Sequence, residues 1–585
     1  MKGFDVIRAK SAVKAHNKFD LSRDHLTTAQ FGEIIPLMVE ETVPGDKLSV
    51  SAEYFSRLAP LAVPTYGKFR FKTVSAFVPY HQVAWDADAF FAGKTSWEGY
   101  TPHTRWFSAG TFFSFLVNNC LTATGASATN CDLAYLNSSG TAQYRLFTNV
   151  GKYYVKVLNA LGYSIPQGID EQTSSWWNTT GKNRKFSALP LLAFFKLYND
   201  YMSQSQRFNS SALSSFLQSV KYGKGVTGFA ATTGEIQAAG LAIFFQNLFL
   251  NYENDYFTSA WQSPQNPLNT VDTITVAPVP GTADPNETVS TGTWNTTLAQ
   301  KVTSTYAMIN QRALDFLKSF DDWVRRNNYS GSRAVQQVYS RFGIKTDDYR
   351  SHYANILGTD SMVIQIGDVT STSDTQGAIL GQYSGKGIMS GNNGVSCEVS
   401  DYGLFIILGY FTVVPMNAFG ADRRVLRMDP LDYYNPEFDG IGADPISLGE
   451  YWQSPIAAAS DTTHDTDVFG FTERYNAYRY GRDVITGEFR DYKVTGDMNA
   501  WHSGRNLSAI RAAGNLVAQS SSVNTLPQYD SEYNRIFANT GGYEDHFYLT
   551  CRFNVSAIRP MMNLNQVPRL GEGDVAVPRN GNVIS

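Results

Sequence analysis

The chain has 585 residues, with 48 Lys and Arg against 52 Asp and Glu for a net charge of −4. That is too little positive charge to make it the main counterion of a bound nucleic acid, which brings one negative charge per nucleotide. Charged residues are 17% and aromatic residues 14% of the chain, a balance that fits outer surface buried against partners better than a free monomer.

Residues 1–18 carry Lys2, Arg8, Lys10, Lys14 and Lys18 against Asp5 with little apolar periodicity. They read as an arm, assigned here to residues 1–30, that either follows a nucleic acid through non-specific phosphate contacts or pins a neighbouring subunit. The first residues lack the hydrophobic core of a signal peptide, and the longest apolar run, Leu404 to Met416, is shorter than the roughly 18 residues a membrane helix needs. A soluble, unexported protein with no membrane insertion is expected.

From Leu48, the set Leu48, Val50, Ala52 and Tyr54 alternates with Ser49, Ser51 and Glu53, the pattern of a half-buried strand. Phe69, Phe71 and Phe77 repeat it, with Pro44-Gly45-Asp46 and Pro64-Thr65-Tyr66-Gly67 as turns. Residues 121–145 and 265–300 read as surface loops from their Thr, Ser, Asn, Pro and Gly content. Residues 189–202 predict a helix with Pro190 in its first turn, and Ile309, Ala313, Phe316, Leu317, Phe320, Trp323 and Val324 recur at helical spacing. A second helix is expected around Val335, Val338 and Phe342. Leu404 to Val414 is a continuous apolar run of the kind buried on both faces. Near the far end Phe547, Leu549, Cys551, Phe553 and Val555 alternate with polar residues. Strands at both ends with long excursions between them predict one mainly β unit: an eight-stranded jelly-roll sandwich over 31–560, discontinuous, with helix-bearing insertions in about 81–400 and a tail at 561–585.

Motifs for chemistry are sparse. Gly93-Lys94-Thr95 ends like a phosphate loop, but Asp88 stands where a glycine is needed. Asp461 and His464-Asp465-Thr466-Asp467 fit no calcium loop. Cys120, Cys131, Cys397 and Cys551 have no zinc-ligand spacing; a Cys120–Cys131 bridge is conceivable across a loop, and Cys551 reads as a core residue. No catalytic residue, cofactor or metal is expected.

The most distinctive stretch is Phe469 to Arg490, followed by Trp501-His502. Phe469 and Phe471 share a strand face, after which Tyr475, Tyr478 and Tyr480 interleave with Arg474, Arg479, Arg482 and Arg490. Guanidinium groups stack on aromatic rings and hold carboxylates bidentately, so these seven residues are candidate subunit contacts. His502 is either a pH-responsive group or a packed histidine.

This segment closely resembles a block of the major capsid proteins of Microviridae, in their gokushovirus-like form. Further blocks resemble that family in the same order: Phe19-Asp20-Leu21-Ser22, Ile35-Pro36, Val43-Pro44-Gly45-Asp46, Leu189-Pro190 with Tyr198-Asn199-Asp200, Asp255 to Ala260 with Pro264-Gln265, and Ile309-Asn310 through Arg341-Phe342-Gly343. Ser332-Arg333-Ala334-Val335 and Arg341 depart from it. The resemblance implies an icosahedral shell of sixty copies around circular single-stranded DNA, assembled in the bacterial cytoplasm. It further implies a small basic DNA-binding protein, a scaffold protein and a host surface receptor as partners. The alternative from another class is a carbohydrate-active or glycan-binding β-sandwich, which would need paired carboxylates that no local pattern singles out.

Overall fold

The computed structural model describes residues 16–91, 101–164, 183–203, 212–262, 322, 353–370, 383–451, 467–490, 498–505, 532–538 and 545–561, apart from 124, 128, 137–140, 247, 249 and 441. The chain enters through β1 (Asn17–Asp20), β2 (Arg23–Ala29), β3 (Ile34–Thr42), β4 (Lys47–Leu58) and β5 (Lys68–Pro79). The excursion that follows contains β6 (Trp106–Ser108), β7 (Leu133–Leu136), β8 (Ala142–Arg145), β9 (Lys185–Ser187), β10 (Phe229–Ala230) and β11 (Glu235–Ile236). Then come β12 (Asn355–Val363), β13 (Gln365–Thr370), β14 (Tyr383–Glu398), β15 (Gly403–Val414), β16 (Ala443–Ser447), β17 (Val468–Glu473) and β18 (Phe547–Arg559).

Two antiparallel sheets make the sandwich. One has the order β1-β18-β4-β14-β13, with β2 also paired to β18; the other has the order β12-β5-β15-β3. The expected alternation holds in the first sheet: Leu48, Val50, Ala52 and Tyr54 of β4 point inward, as do Phe547, Leu549, Cys551, Phe553 and Val555 of β18, while their sequence neighbours face out. The sheets meet through aromatic rings. Phe411 of β15 stacks on Phe547 of β18 at 4.1 Å, Phe71 lies 5.6 Å from Tyr54, and Phe31 contacts both Phe69 and Phe547. Between β3 and β4, Gly45 takes a φ of +92°, and the Asp46 carboxylate accepts the Val43 N–H at 3.0 Å, closing the turn.

Strands β3, β5 and β15 of the second sheet are buried on both faces over most of their length, as the apolar run of β15 predicts, while the edge strand β12 is largely open. The outer side of these three strands is covered by the excursion: helix Leu189–Tyr201 packs on β5 and β15, and helix Asn149–Ala160 packs on β3. Leu189–Tyr201 starts with Pro190 in its first turn and buries Leu191, Leu192, Phe194, Phe195 and Leu197 completely. Asn149–Ala160 is capped by the Thr148 hydroxyl, which accepts from Gly151 N–H at 3.0 Å. Gly151 approaches so close that a Cβ there would sit 2.1 Å from the Cys120 carbonyl oxygen. Tyr153 bolts this helix to the sheet, its hydroxyl lying 2.9 Å from the Ile34 N–H and 3.3 Å from the Ile34 carbonyl.

Buried charges accompany the covering layer. Arg105 and Asp86 are both fully buried and paired at 2.9 Å, and the remaining guanidinium hydrogens go to the carbonyls of His103, Val220 and Lys221 and to the second Asp86 oxygen. Lys156 bridges Glu33 at 2.6 Å and Asp545 at 3.0 Å. Burial pushes the Glu33 carboxyl up to about 7 against the pull of Lys156. Burial also opposes the charge on Lys156, but its two carboxylates outweigh that and hold its pKa above the ordinary value.

Some expectations differ from the structure. Residues 17–29, assigned to the arm, form β1 and β2 and pair with β18. Segment 121–145 is not simply a surface loop. It contains the antiparallel pair β7–β8, because Leu133 and Tyr135 are apolar enough to pack inward, Tyr135 against Phe113 at 5.4 Å. Strands β12, β13 and β14 lie inside the span assigned to insertions yet belong to the two sandwich sheets. All four cysteines are free, and Cys551 is fully buried, its thiol pushed up by burial. Apart from Asp322, which is helical and exposed, the helices expected near 309–342 lie outside the described residues, as do the loop 265–300 and the tail from 562.

Candidate assembly surface

The Arg and Tyr block begins on β17, which pairs antiparallel with β16. Phe469 is buried in a small second core with Phe257, Tyr451, Ile446 and Ile485. Phe471 exchanges two backbone hydrogen bonds with Trp261, at 2.7 and 2.8 Å. Segment Asp255 to Ala260, far away in sequence, is thereby built into the same unit. Asp255 organises it by accepting the N–H groups of Phe257 and Thr258 and the amide of Asn417.

Within the block the side chains divide by direction. Tyr475 is buried in a left-handed conformation, φ 63°, the one such non-glycine residue among those described; its N–H donates to Asp444 at 2.9 Å. Tyr480 stacks on Tyr256 at 4.9 Å, and burial pushes its hydroxyl up to about 12. Arg482 donates to the carbonyls of Ala418 and Gly420. These three hold the subunit together internally. Arg474 lies over Phe438 at 5.0 Å and Tyr475 at 5.2 Å, and its Nε meets no hydrogen-bond partner among the described residues. Tyr478 and Arg479 face outward; Arg479 pairs with Asp439 at 3.0 Å, both half exposed. Arg490 is partly buried.

His502 is buried, with Nε2 2.8 Å from the Phe489 carbonyl oxygen and Nδ1 2.9 Å from the Gly504 N–H. That geometry places the proton on Nε2 and satisfies both ring nitrogens, which suits a packed structural histidine. Nearby, Arg535 donates to the carbonyls of Asn499, His502 and Gly504 and ties this segment down.

The structure adds a surface that motif reading missed. Residues 422–439 lie beside the outward side of the block and expose Val425 at 65%, Met428 at 81% and Leu431 at 56%, with Tyr433 and Tyr434 about half exposed. Arg427 lies over the Tyr478 ring at 4.0 Å, and the Tyr478 hydroxyl accepts the Tyr434 N–H at 3.3 Å. Two prolines and five carboxylates between Asp422 and Asp439 make this stretch read as an ordinary polar loop; only the run Val425, Leu426, Met428, Leu431 hints otherwise. Of the arm residues, Lys18 is exposed on β1, and Lys2, Arg8, Lys10 and Lys14 lie outside the described residues. Among the described residues no group of three His, Cys, Asp or Glu is arranged to hold a metal ion.

The sequence profile described as "Capsid protein (F protein)" matches residues 8–101 and 174–569, which takes in both sheets and the whole block. This chain belongs to that phage capsid protein family. The protein named "Capsid protein VP1" of Chlamydia phage 1 is 24% identical over 568 residues, covering 87% of this chain and 90% of that one. Its namesake from Bdellovibrio phage phiMH2K is 23% identical over 566 residues, covering 88% and 90%. The "Capsid protein VP1" of Spiroplasma virus 4 matches more locally, at 22% over 177 residues. The resemblance to Microviridae capsid proteins therefore extends over most of the capsid-family chain, and its place is the virion.

Proposed function

We propose that this major capsid protein builds a closed icosahedral shell of sixty copies around a circular single-stranded DNA, with a jelly roll as the wall of each subunit. The observation that carries the wall is the pairing of strands first to last: β2 with β18, β3 with β15, β4 with β14 and β5 with β12. Rolling up four such pairs so that alternate pairs fall in opposite sheets gives the orders β2-β18-β4-β14 and β3-β15-β5-β12, the arrangement of viral jelly rolls.

The remaining assignments follow from charge and exposure. A subunit of net charge −4 leaves neutralisation of the genome to a small basic protein and to counterions. The arm residues Lys2, Arg8, Lys10, Lys14 and Lys18 supply the local phosphate contacts this chain can offer. A scaffold protein guides assembly in the bacterial cytoplasm, and residues 265–300 present Pro-rich and Thr-rich sequence to a host receptor. The outward residues of the Arg474 to Arg490 block take part in contacts between copies.

Electron microscopy of the purified protein tests the shell: uniform closed particles are expected, whereas discrete monomers that cleave polysaccharide would replace this reading with the carbohydrate-active one. Removing residues 2–15 is expected to lower packaged DNA while shells still form. Replacing 265–300 with a short Gly-Ser linker is expected to abolish adsorption with assembly intact.

A further inference from the structure

We infer that the knob formed by residues 422–439, backed by Tyr478, is a docking surface for a second copy of this chain; the inference rests on the shell reading above. The knob is built before any partner arrives. At its base Arg423 pairs with the buried Glu450 at 2.6 Å, and Asp422 accepts the Arg424 N–H at 2.8 Å. In its middle the Asp432 carboxylate accepts the N–H groups of both Met428 and Asp429 at 3.0 Å. On its flank Arg427 is held over Tyr478. The charged groups are thus largely used within the knob, and what stands outermost is apolar: Val425, Met428 and Leu431, rimmed by Tyr433, Tyr434 and Tyr478. Tyr and Arg around a fixed apolar centre is the composition of an interface hot spot. Other apolar side chains of the chain are exposed as well, but here three that are more than half exposed, Val425, Met428 and Leu431, fall within seven residues, and such a cluster marks an interaction site.

Charge selects the occupant. Between Asp422 and Asp439 three arginines face five carboxylates, so the knob repels a phosphate backbone and lacks the basic face that an anionic membrane surface requires. It asks instead for a neutral, apolar protein surface. The same chain offers a candidate on a different sheet, where Leu26 of β2, Phe55 of β4 and Tyr548 of β18 project from the outer face around Thr550, Leu26 at 81% exposure, bordered by Arg57 over Phe55 and by the Arg552–Asp24 pair, so that the local charges nearly balance. A knob and a separate apolar patch on one chain are what a heterologous contact between copies needs.

The test uses the full chain in assembled particles. With Met428→Cys, alkylation of the thiol is expected to be at least about tenfold slower in intact particles than in dissociated subunits. Met428→Asp with Leu431→Asp is expected to leave folded, unassembled subunits and cut particle yield about tenfold or more. Val226→Asp, which adds a charge at an exposed apolar position elsewhere, is expected to assemble as the unaltered protein does. Equal alkylation in both states, with normal yield of the double variant, overturns the docking surface and leaves the shell reading standing; it would turn the knob outward, toward a host molecule. If the unaltered chain forms no particles, the shell reading fails first and the docking surface falls with it.

Discussion

The two sheets of one sandwich follow different rules. In the sheet of β1, β2, β4, β13, β14 and β18, the central strands β4 and β18 bury every second residue and show nearly all the others to solvent, whereas β3, β5 and β15 of the other sheet are buried almost without interruption. The cause is the helical layer over the second sheet, which removes the solvent side and with it the period of two. The covering layer also changes what must specify position. An alternating strand fixes its own register, because a slip of one residue would expose its apolar set. A sheet apolar on both faces gives packed helices no such instruction, and it is at this layer that Arg105, Asp86, Glu33 and Lys156 are buried. Buried ionic groups that set placement more than they add stability would behave this way.

The sharpest way to break that comparison is Arg105→Met. It leaves the Asp86 carboxylate buried without its counter-charge, the His103 N–H at 3.1 Å still donating to it, so unfolding by denaturant is expected to show a loss of about 3–5 kcal/mol; a loss under about 1 kcal/mol would mean that the buried charge does not depend on its partner. Next are neighbouring positions within one strand. On β15, Ile406→Ala and Ile407→Ala are each expected to cost about 2–5 kcal/mol because both faces are covered. On β18 only one of two neighbours matters: Leu549→Ala falls in the same range and Thr550→Ala stays within about 0.5 kcal/mol. Unequal costs on β15, or equal ones on β18, would erase the distinction between the sheets.

A smaller effect is expected from pH. The Glu33 pKa is raised from 4.5 to about 7 by burial, so the folded chain keeps a proton that the unfolded chain gives up. Its contribution is full below pH 4.5 and is lost as pH rises through about 7. Glu33→Gln is expected to remove that decline from thermal melts recorded across this window, and a slope unchanged by the substitution would contradict it. Smallest of all is Arg479→Ala: its half-exposed pair with Asp439 is expected to add under about 1 kcal/mol in melts of the subunit.

The alternating strands were legible because apolar period and burial coincide; β4 and β18 can be read directly from Leu48 to Tyr54 and from Phe547 to Val555. Helix Leu189–Tyr201 was legible from Pro190 and its apolar content. The doubly buried sheet was legible only as the run in β15, since β3 mixes Pro36, Glu40 and Glu41 into its pattern. The Arg and Tyr block announced itself by composition, but not its division into inward Tyr475, Tyr480 and Arg482 and outward Tyr478 and Arg479. That division depends on Asp444, Tyr256 and Gly420, which lie far off in sequence. The knob stayed hidden because Pro, Asp and Tyr in a loop carry no period.

Strand β18 sits in the interior of its sheet, between β4 on one side and β1 and β2 on the other. A hydrogen bond there joins Ser22 to Val555, 533 residues apart. At ribosomal speeds of roughly 5–20 residues per second, on the order of a minute passes between the emergence of these two partners. Until then β2 and β4 have a gap between them where their shared neighbour belongs, and the wall of the subunit is open. The timing acts as a safeguard: a nascent chain cannot present the finished wall to its neighbours, so only completed subunits are fit to join a shell.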